Sequence, residues 1–577
     1  MQHRPTGAAL GDGSILCQCQ NVPRGRVIAE IRRGARSVEE VAERCAAGTG
    51  CGSCRDEIAA LLMQLVRPGP DDAPQTLRNK AEQMKAEKDG LDVLPVILRH
   101  ARDGDWKSID GADLDRMKWY GLFHRKRTPG YFMMRIRGIC GRMTSEQFRV
   151  LADVADTFGK GFCDLTTRQQ VQLRWFTIRD VPEIWQRLRD VGLNSMQTGH
   201  DNVRGIMGCP AGGITPGETI DTYPLAKELT ERIVGNRSYT NLPRKFNITI
   251  TGCLENCCHA ETQDVALVPA RKLAPGSKEI VGFNILVGGK QGSGGLTPAL
   301  PLNAFVTADQ AAAVCETLIG IFRDYGPRAA RNRARFRFLI EARGVWWVRE
   351  ELCRRLGHPL PEAGEDLRKR TRTDHIGIYR QKQQGLNYAG LCVPAGRIRS
   401  SQMREVARLA DEYGTGEIRL TPDQNLLIPN IPDARLNDFT REPVLHELPY
   451  NPSPIMRGLV TCTGNDYCPL ALIETKGWAL RVAEQLEQML GDQVTHLKDI
   501  SIRWSGCAAG CGLHQAADIG LQGCRSRTGG GNIVDAAHVY VRGRTGPQTT
   551  PGLPLLSEVP CEKLAATLAP LVLHLRR

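Results

Sequence analysis

The chain has 577 residues, 41% of them hydrophobic and 24% charged, with a formal net charge of +13. These are the proportions of a globular protein long enough for several domains with large cores. No run of 18 apolar residues occurs, which excludes a helical membrane span, and Met1-Gln-His-Arg-Pro-Thr-Gly lacks the apolar centre of a signal peptide. A cytoplasmic location is therefore expected. Twenty cysteines in that compartment are not a disulfide framework, and closely paired ones point to metal. The positive balance favours acidic partners such as an acidic electron carrier, nucleic acid or an anionic cofactor; an ordinary basic surface is the plain alternative.

Residues 1–66 read as a separate module. Cys17-Gln-Cys19 is followed by Ala46-Ala-Gly-Thr-Gly-Cys51-Gly-Ser-Cys54, and Val27, Ile28, Ile31, Val38 and Val41 between them have mostly helical spacing. Glycines beside thiols let backbone N–H groups approach cluster sulfurs. The C-x-C plus C-x-x-C arrangement resembles the small [2Fe–2S] domain of the bacterioferritin-associated ferredoxin type. That resemblance implies Cys17, Cys19, Cys51 and Cys54 as ligands; a zinc site is the alternative. Cys45 fits no ligand position and is expected to pack. Residues 67–115 open on Arg-Pro-Gly-Pro-Asp-Asp-Ala-Pro, a linker composition. The charged stretch Leu77–Asp92 predicts a solvated helix, and the whole segment predicts a flexible tether.

From about residue 116 the chain repeats itself. A slide of 255 residues aligns Gly141-Arg142 with Gly396-Arg397, and without gaps matches Ser145/Ser400, Gln147/Gln402, Leu165/Leu420, Thr166/Thr421 and Gln169/Gln424. Each copy reads as strand, helix, strand, over 116–192 and 366–445. The units that follow, 193–365 and 446–577, repeat as well. Thr251-Gly-Cys253-Leu-Glu-Asn-Cys257 matches Ser505-Gly-Cys507-Ala-Ala-Gly-Cys511, and Cys209-Pro210 matches Cys468-Pro469. Val203 falls opposite Cys462. The first half thus has three of four thiols and reads as a degenerate copy without a cluster; a second cluster recruiting Cys258 is the alternative. The two halves are expected to face each other across a pseudo-dyad, with a cofactor between them.

The second half carries Cys462-Thr-Gly-Asn-Asp-Tyr-Cys468 and, after a gap of 38 residues, Cys507-Ala-Ala-Gly-Cys511. Four thiolates suit an iron–sulfur cluster or a structural zinc, and the step from Cys462 to Cys468 is long for zinc pairing. C-T-G-N-x-x-C followed by S-G-C-x-x-x-C resembles the cluster motif of the sirohaem nitrite and sulfite reductases. The resemblance covers roughly residues 115–570. It implies an α+β fold of two pseudo-symmetric halves, each a ferredoxin-like half-domain followed by an α/β sirohaem and [4Fe–4S] domain. It also implies that the four cysteines hold a [4Fe–4S] cluster, with Cys511 additionally axial to the sirohaem iron.

Sirohaem carries eight carboxylates, and arginine is the cation best suited to them. The family-like segments offer Arg137, Arg168, Gln169 and Arg244 in the first half, and Lys382, Gln384, Gln424 and Asn425 in the second, as cofactor-binding residues. The resemblance assigns Arg135, Arg204, Lys245 and Asn247 to the substrate pocket. Fixed cations hold a small oxyanion and stabilise charge on its oxygens, and lysine can supply protons. Related sulfite reductases of the bacterial type carry a second lysine where this chain has Asn247. Some place a cysteine near position 202 to crosslink with the tyrosine of a Trp-Tyr-Gly segment; here Trp119-Tyr120-Gly121 is present but position 202 is asparagine. Both departures favour nitrite over sulfite.

No G-x-G-x-x-G fingerprint follows an expected strand, and Gly289-Lys-Gln-Gly-Ser-Gly-Gly reads as a loop. Electrons are then expected from a protein, reduced ferredoxin or a similar acidic carrier, with the [2Fe–2S] module as relay or docking aid. No nucleic acid and no membrane partner are expected. The implied activity is assimilatory reduction of nitrite to ammonia. The alternatives are a sulfite reductase of the same fold, a precorrin-3B synthase, against which the intact cationic pocket and the extra module speak, and a non-catalytic iron–sulfur carrier or sensor.

Overall fold

The computed structural model describes residues 14–35, 37–50, 52, 54–55, 57–58, 61–62, 79–273, 279–292, 294–369, 372–497, 500–527 and 529–575. Cys51 and the proline-rich start of the expected linker lie outside the described residues.

In the N-terminal module a hairpin of Ile15–Cys17 and Val22–Pro23 leads into helices Arg24–Arg32 and Val38–Cys45. Ser37 caps the second helix by accepting from the Glu40 N–H at 3.1 Å. Val27, Ile28, Ile31 and Val41 form its core together with Cys17 and Cys54. The segment that follows is not a loose tether over its described part. Helix Lys80–Glu87 buries Met84 and Lys85, and the Lys85 ammonium donates to Leu242 O at 2.7 Å and pairs with Asp201 at 3.3 Å. Val93, Ile97, Ala101 and Ile109 join the core of the first half. The charge density that suggests solvation hides partners that lie over a hundred residues away in the chain.

The two half-domains form two five-stranded sheets that exchange an edge strand. One sheet runs Arg397–Arg399, Phe162–Leu165, Val171–Phe176, Phe132–Ile136, Leu122–His124. The other runs Gly377–Arg380, Leu386–Leu391, Leu426–Pro432, Glu417–Leu420, Arg142–Thr144. Each half thus lends its pre-helical strand to the other half's sheet, with Ile398 opposite Cys163 and Met143 opposite Ile418. Helices Ser145–Phe158 and Ser400–Tyr413 pack together beside them. Their ends are tied reciprocally: Ser145 Oγ donates to Asp411 and Ser400 Oγ to Asp156, both at 2.5 Å. The repeat seen in the sequence is therefore an intertwined pair, sharing one apolar core.

Each half continues into a mixed sheet. In the first, Ile248–Ile250 lies parallel to Val265–Leu273, which continues antiparallel to Glu279–Val287. In the second, Leu459–Thr461, Ile502–Ser505 and Ile519–Arg527 are mutually parallel, and Ile533–Val541 and Leu553–Pro560 complete the sheet antiparallel. Helices Lys476–Leu490 and Leu564–Leu575 pack on the second sheet. Among the described residues, no helix is long and apolar enough to cross a membrane.

Candidate cofactor site and anion pocket

Parallel pairing brings the cysteine motifs together. Cys462 directly follows Leu459–Thr461, and Cys507 lies just past Ile502–Ser505, so both leave the same edge of the sheet. The Cys462 sulfur accepts from the Gly506 N–H at 3.1 Å and the Gly464 N–H at 3.3 Å. Gly464 holds φ +67, and a Cβ there would stand 2.7 Å from the Thr475 nitrogen, so only glycine fits this turn. The Leu472 N–H bonds to Gly506 O at 2.8 Å and folds the Cys468 loop onto the Cys507 loop. Burial and the neighbouring Cys511 push the Cys462 thiol up to about 11. Cys511 alone of the four is exposed. Its carbonyl accepts from Thr167 Oγ1 of the other half at 3.2 Å.

Half-buried cations of the first half gather near Cys511, with Arg135 and Lys245 within its electrostatic range. Arg135 donates to Thr198 O at 3.0 Å, and Gln172, its amide turned to present oxygen, accepts from Arg135 Nη2 at 3.1 Å. Arg204 donates to Thr198 O at 2.6 Å and His200 O at 2.7 Å. Arg168 donates to Gln263 Oε1 at 2.9 Å and Gly205 O at 2.7 Å. Burial, then repulsion from Arg135, Arg168 and Arg244, holds Arg204 well below the ordinary guanidinium value. Burial, then repulsion from Arg335, brings the Lys245 ammonium down to about 7, although Cys511 acts in the opposite sense. Asn247 is buried; its N–H bonds to Asp264 at 2.8 Å and its Oδ1 has no partner among the described residues. Arg168 Nε and Arg204 Nε are likewise buried and unpartnered there. Like charges crowded together with carbonyls as their main partners leave positive charge uncompensated for a polyanion to neutralise.

Other expected site residues serve the scaffold. Arg137 spends its guanidinium on the carbonyls of Met196, Gln197 and Val203 and shapes the loop that carries Arg204. Gln169 Nε2 donates to Cys140 O, Gly208 O and Leu420 O, and Gln424 Nε2 to Leu165 O. Asn425 Oδ1 accepts from the Val393 N–H at 2.9 Å. Arg244 sits 3.7 Å from Asp201 at the pocket's margin. Lys382 pairs with Glu218 at 3.1 Å, and Gln384 is exposed on the same hairpin. Neither shows a contact with the thiol quartet among the described residues. In the N-terminal module Cys17 Sγ lies 3.7 Å from Cys19 Sγ and against Cys54, while Cys45 donates to Val41 O.

The comparisons with known proteins meet this geometry. The nitrite and sulphite reductase 4Fe-4S domain matches residues 199–360, and the nitrite/sulfite reductase ferredoxin-like half domain matches 124–191 and 379–445. The BFD-like [2Fe-2S] binding domain matches 15–64. The ferredoxin–nitrite reductase of Synechococcus elongatus is 40% identical over 503 residues, covering 86% of this chain and 96% of that protein. The chain belongs to the nitrite and sulfite reductase family. The assimilatory ferredoxin-dependent nitrite reductase of Haloferax mediterranei is 36% identical over 526 residues, 86% of this chain and 89% of that one. The solved NirA protein of Mycobacterium tuberculosis superposes with a TM-score of 0.80 at 31% identity, covering 85% of this chain and 92% of that one.

This member of the nitrite and sulfite reductase family has residues that fit the family's cofactors: paired cysteine loops with backbone N–H groups donated to Cys462, an exposed Cys511, and half-buried cations whose Arg168 and Arg204 Nε–H groups have no partner among the described residues. Sequence reasoning missed three contributors. Arg335 forks onto Asp264 at 2.7 and 3.0 Å, fixing the carboxylate that accepts the Asn247 N–H, and repels the Lys245 ammonium. Its signal is the alternating run Arg331-x-Arg333-x-Arg335-x-Arg337. Asp201, fully buried, collects Lys85, Arg244 and Arg331. The glycine-rich stretch read as a loop is a hairpin, Lys290–Gly292 with Gly295–Thr297. It lies over the cysteine loop, where a Cβ on Gly510 would meet Gln291 at 3.0 Å.

Proposed function

We propose that this chain is an assimilatory nitrite reductase that takes electrons from a reduced ferredoxin and converts nitrite to ammonium. One observation carries the reading: the exposed Cys511 lies within electrostatic range of Arg135 and Lys245, and both of these are in range of Arg204. When bound, a sirohaem coupled to a [4Fe–4S] cluster would supply electrons singly; Cys462, Cys468, Cys507 and Cys511 are the residues to hold the cluster. Arg168 and Arg244 offer charge to the carboxylates of the tetrapyrrole. Arg135 and Arg204 hold the anion in place, and their backbone partners keep them from following it as its charge changes. Nitrite, six electrons and eight protons yield ammonium and two waters, so the pocket must deliver protons repeatedly. A lysine near 7 is suited to give and regain them at neutral pH. Asn247 adds a neutral donor where a second cation would favour the sulfite dianion. Ammonium formed per nitrite consumed with reduced ferredoxin, with sulfite as a parallel substrate, tests this. Faster turnover of sulfite than of nitrite refutes the substrate assignment.

We propose a relay role for the N-terminal module, supported by its packing on the cluster-bearing half. Cys19 packs against the apolar cluster that includes Cys507, and Gln18 Nε2 lies 2.9 Å from His538 Nε2 of the cluster-bearing half. An acidic carrier would be steered by the chain's net charge of +13. Cys17→Ser is expected to slow ferredoxin-driven turnover and to spare dithionite-driven turnover. Equal loss in both, or in neither, removes the relay role.

A further inference from the structure

Three buried thiols of the first half stand apart from the quartet. Cys209, Cys253 and Cys257 bring their sulfurs within 4.8 Å of one another, the only such group of three or more among the described residues. Zinc holds each thiolate at about 2.3 Å in a tetrahedron, so sulfurs sharing one ion stand roughly 3.8 Å apart. The trio lies within 4.8 Å, a spread that a shared ion would draw in. The quartet at Cys462, Cys468, Cys507 and Cys511 is more open, as a cluster of several irons requires. The spacing Cys253-x3-Cys257 is also an ordinary one for zinc.

The repeat puts Val203 where a fourth thiol would be, and the fold supplies a different residue. His375 is buried, with Nε2 3.8 Å from Cys209 Sγ and Nδ1 3.1 Å from the Tyr388 hydroxyl. A ligating histidine engages its second ring nitrogen in this manner. His375 lies outside the compact group of three, so ligation requires its ring to move toward Cys253 and Cys257. Cys258 touches Cys257 at 3.8 Å but does not join the group. Three thiolates and a neutral imidazole on a divalent ion leave one negative charge. Arg372 lies within electrostatic range of Cys257, and Arg419 of Cys209, to balance it. Arg419 also donates to Pro210 O at 3.0 Å and Gly212 O at 2.6 Å, just past Cys209.

We propose that Cys209, Cys253, Cys257 and His375 bind one zinc ion. Four protein ligands leave no open position, so the ion is structural. Its thiols share an apolar cluster with Tyr388 and Leu427 of the second half's sheet, and the ion staples that sheet to the first half's thiol loops. Binding releases the three thiol protons and moves no electrons.

Zinc is counted by mass spectrometry on the full chain, purified without chelator from zinc-supplemented medium. The expectation is one zinc per chain besides the iron. X-ray absorption at the zinc edge should show three sulfurs at about 2.3 Å and one nitrogen at about 2.0 Å. Cys253→Ser should lower zinc occupancy at least tenfold while the sirohaem absorbance persists, and His375→Ala should remove the nitrogen scatterer. Zinc below a tenth per chain overturns the proposal. So does zinc retained in Cys253→Ser, an oxygen-rich shell, or excess iron in place of zinc. The edge spectrum needs no variant and decides the ligand set even if a substitution prevents folding.

Discussion

Gln169 and Gln424 are related by the repeat, and each reaches into the opposite half. Gln169 Nε2 donates to Leu420 O at 3.0 Å and Gln424 Nε2 to Leu165 O at 2.8 Å. Both residues hold a left-handed backbone, at φ 54 and 66. Their amides cross-brace the exchanged strands next to the segment that bonds Cys511. A motif that resembles a cofactor contact is thus a brace on the frame that positions one.

Gln169→Leu should destabilise the chain strongly. It leaves buried carbonyls at Cys140, Gly208 and Leu420 short of a donor and the Gly208 N–H short of an acceptor. Orphaned buried groups cost about 1–3 kcal/mol each, so a loss of at least ~3 kcal/mol is expected. An unchanged denaturation midpoint in guanidinium would show that the brace carries no load.

Lys245 sets a pH dependence. Burial and the surrounding guanidiniums bring it down to about 7, so it is charged below and neutral above. Affinity for nitrite should fall as pH rises through 7, and Lys245→Arg should flatten that inflection because arginine stays charged. In the unfolded chain the same lysine titrates near ~10.4. The unfolded state therefore binds more protons between those values, and this residue's contribution to stability rises with pH across that window. Nitrite KM measured from pH 6 to 9 checks the first statement; a wild-type curve without an inflection refutes it.

Asn247→Lys should turn the pocket toward sulfite. The added cation meets Asp264 and Arg335 behind it and a dianion in front. The ratio of kcat/KM for nitrite over sulfite should fall about tenfold or more, corresponding to ~1.4 kcal/mol. An unaltered ratio would move substrate selection elsewhere.

Arg174 couples the first half's sheet to the cluster loop. It is fully buried, paired with Asp164, and donates to Asp466 and to Thr463 Oγ1, both at 3.3 Å, within the Cys462–Cys468 turn. Arg174→Met removes one cation from the buried Asp164, which keeps Arg397 at 2.9 Å and Lys476 at 3.9 Å. A loss of about 1.5–3 kcal/mol is expected, with lower [4Fe–4S] content on purification. Full cluster occupancy with unchanged stability would refute the coupling.

Much of the chemistry was legible in the amino-acid order because it is local. Thiol spacing, glycines beside thiols and the 255-residue repeat identify the cluster segments without any contact being known. The strand exchange was not legible, since pairing Met143 with Ile418 and Ile398 with Cys163 depends on contacts more than two hundred residues apart. Nor was the division of labour among the cations. Arg135 lies in strand Phe132–Ile136 and Arg137 just past its end, yet one lies within range of Cys511 and the other is consumed by carbonyls. The docking of helix Lys80–Glu87 onto Asp201 was hidden for the same reason.

The order of residues by itself determined which groups can bind soft metals and anions, because ligand type and short spacing are properties of the covalent chain. Only the tertiary structure decided which of those groups face one another. It opened one set of thiols and closed the other, turned glutamines into braces, and set Lys245 near neutrality. Those outcomes depend on burial and on the distance between charges, and both exist only once the chain has folded.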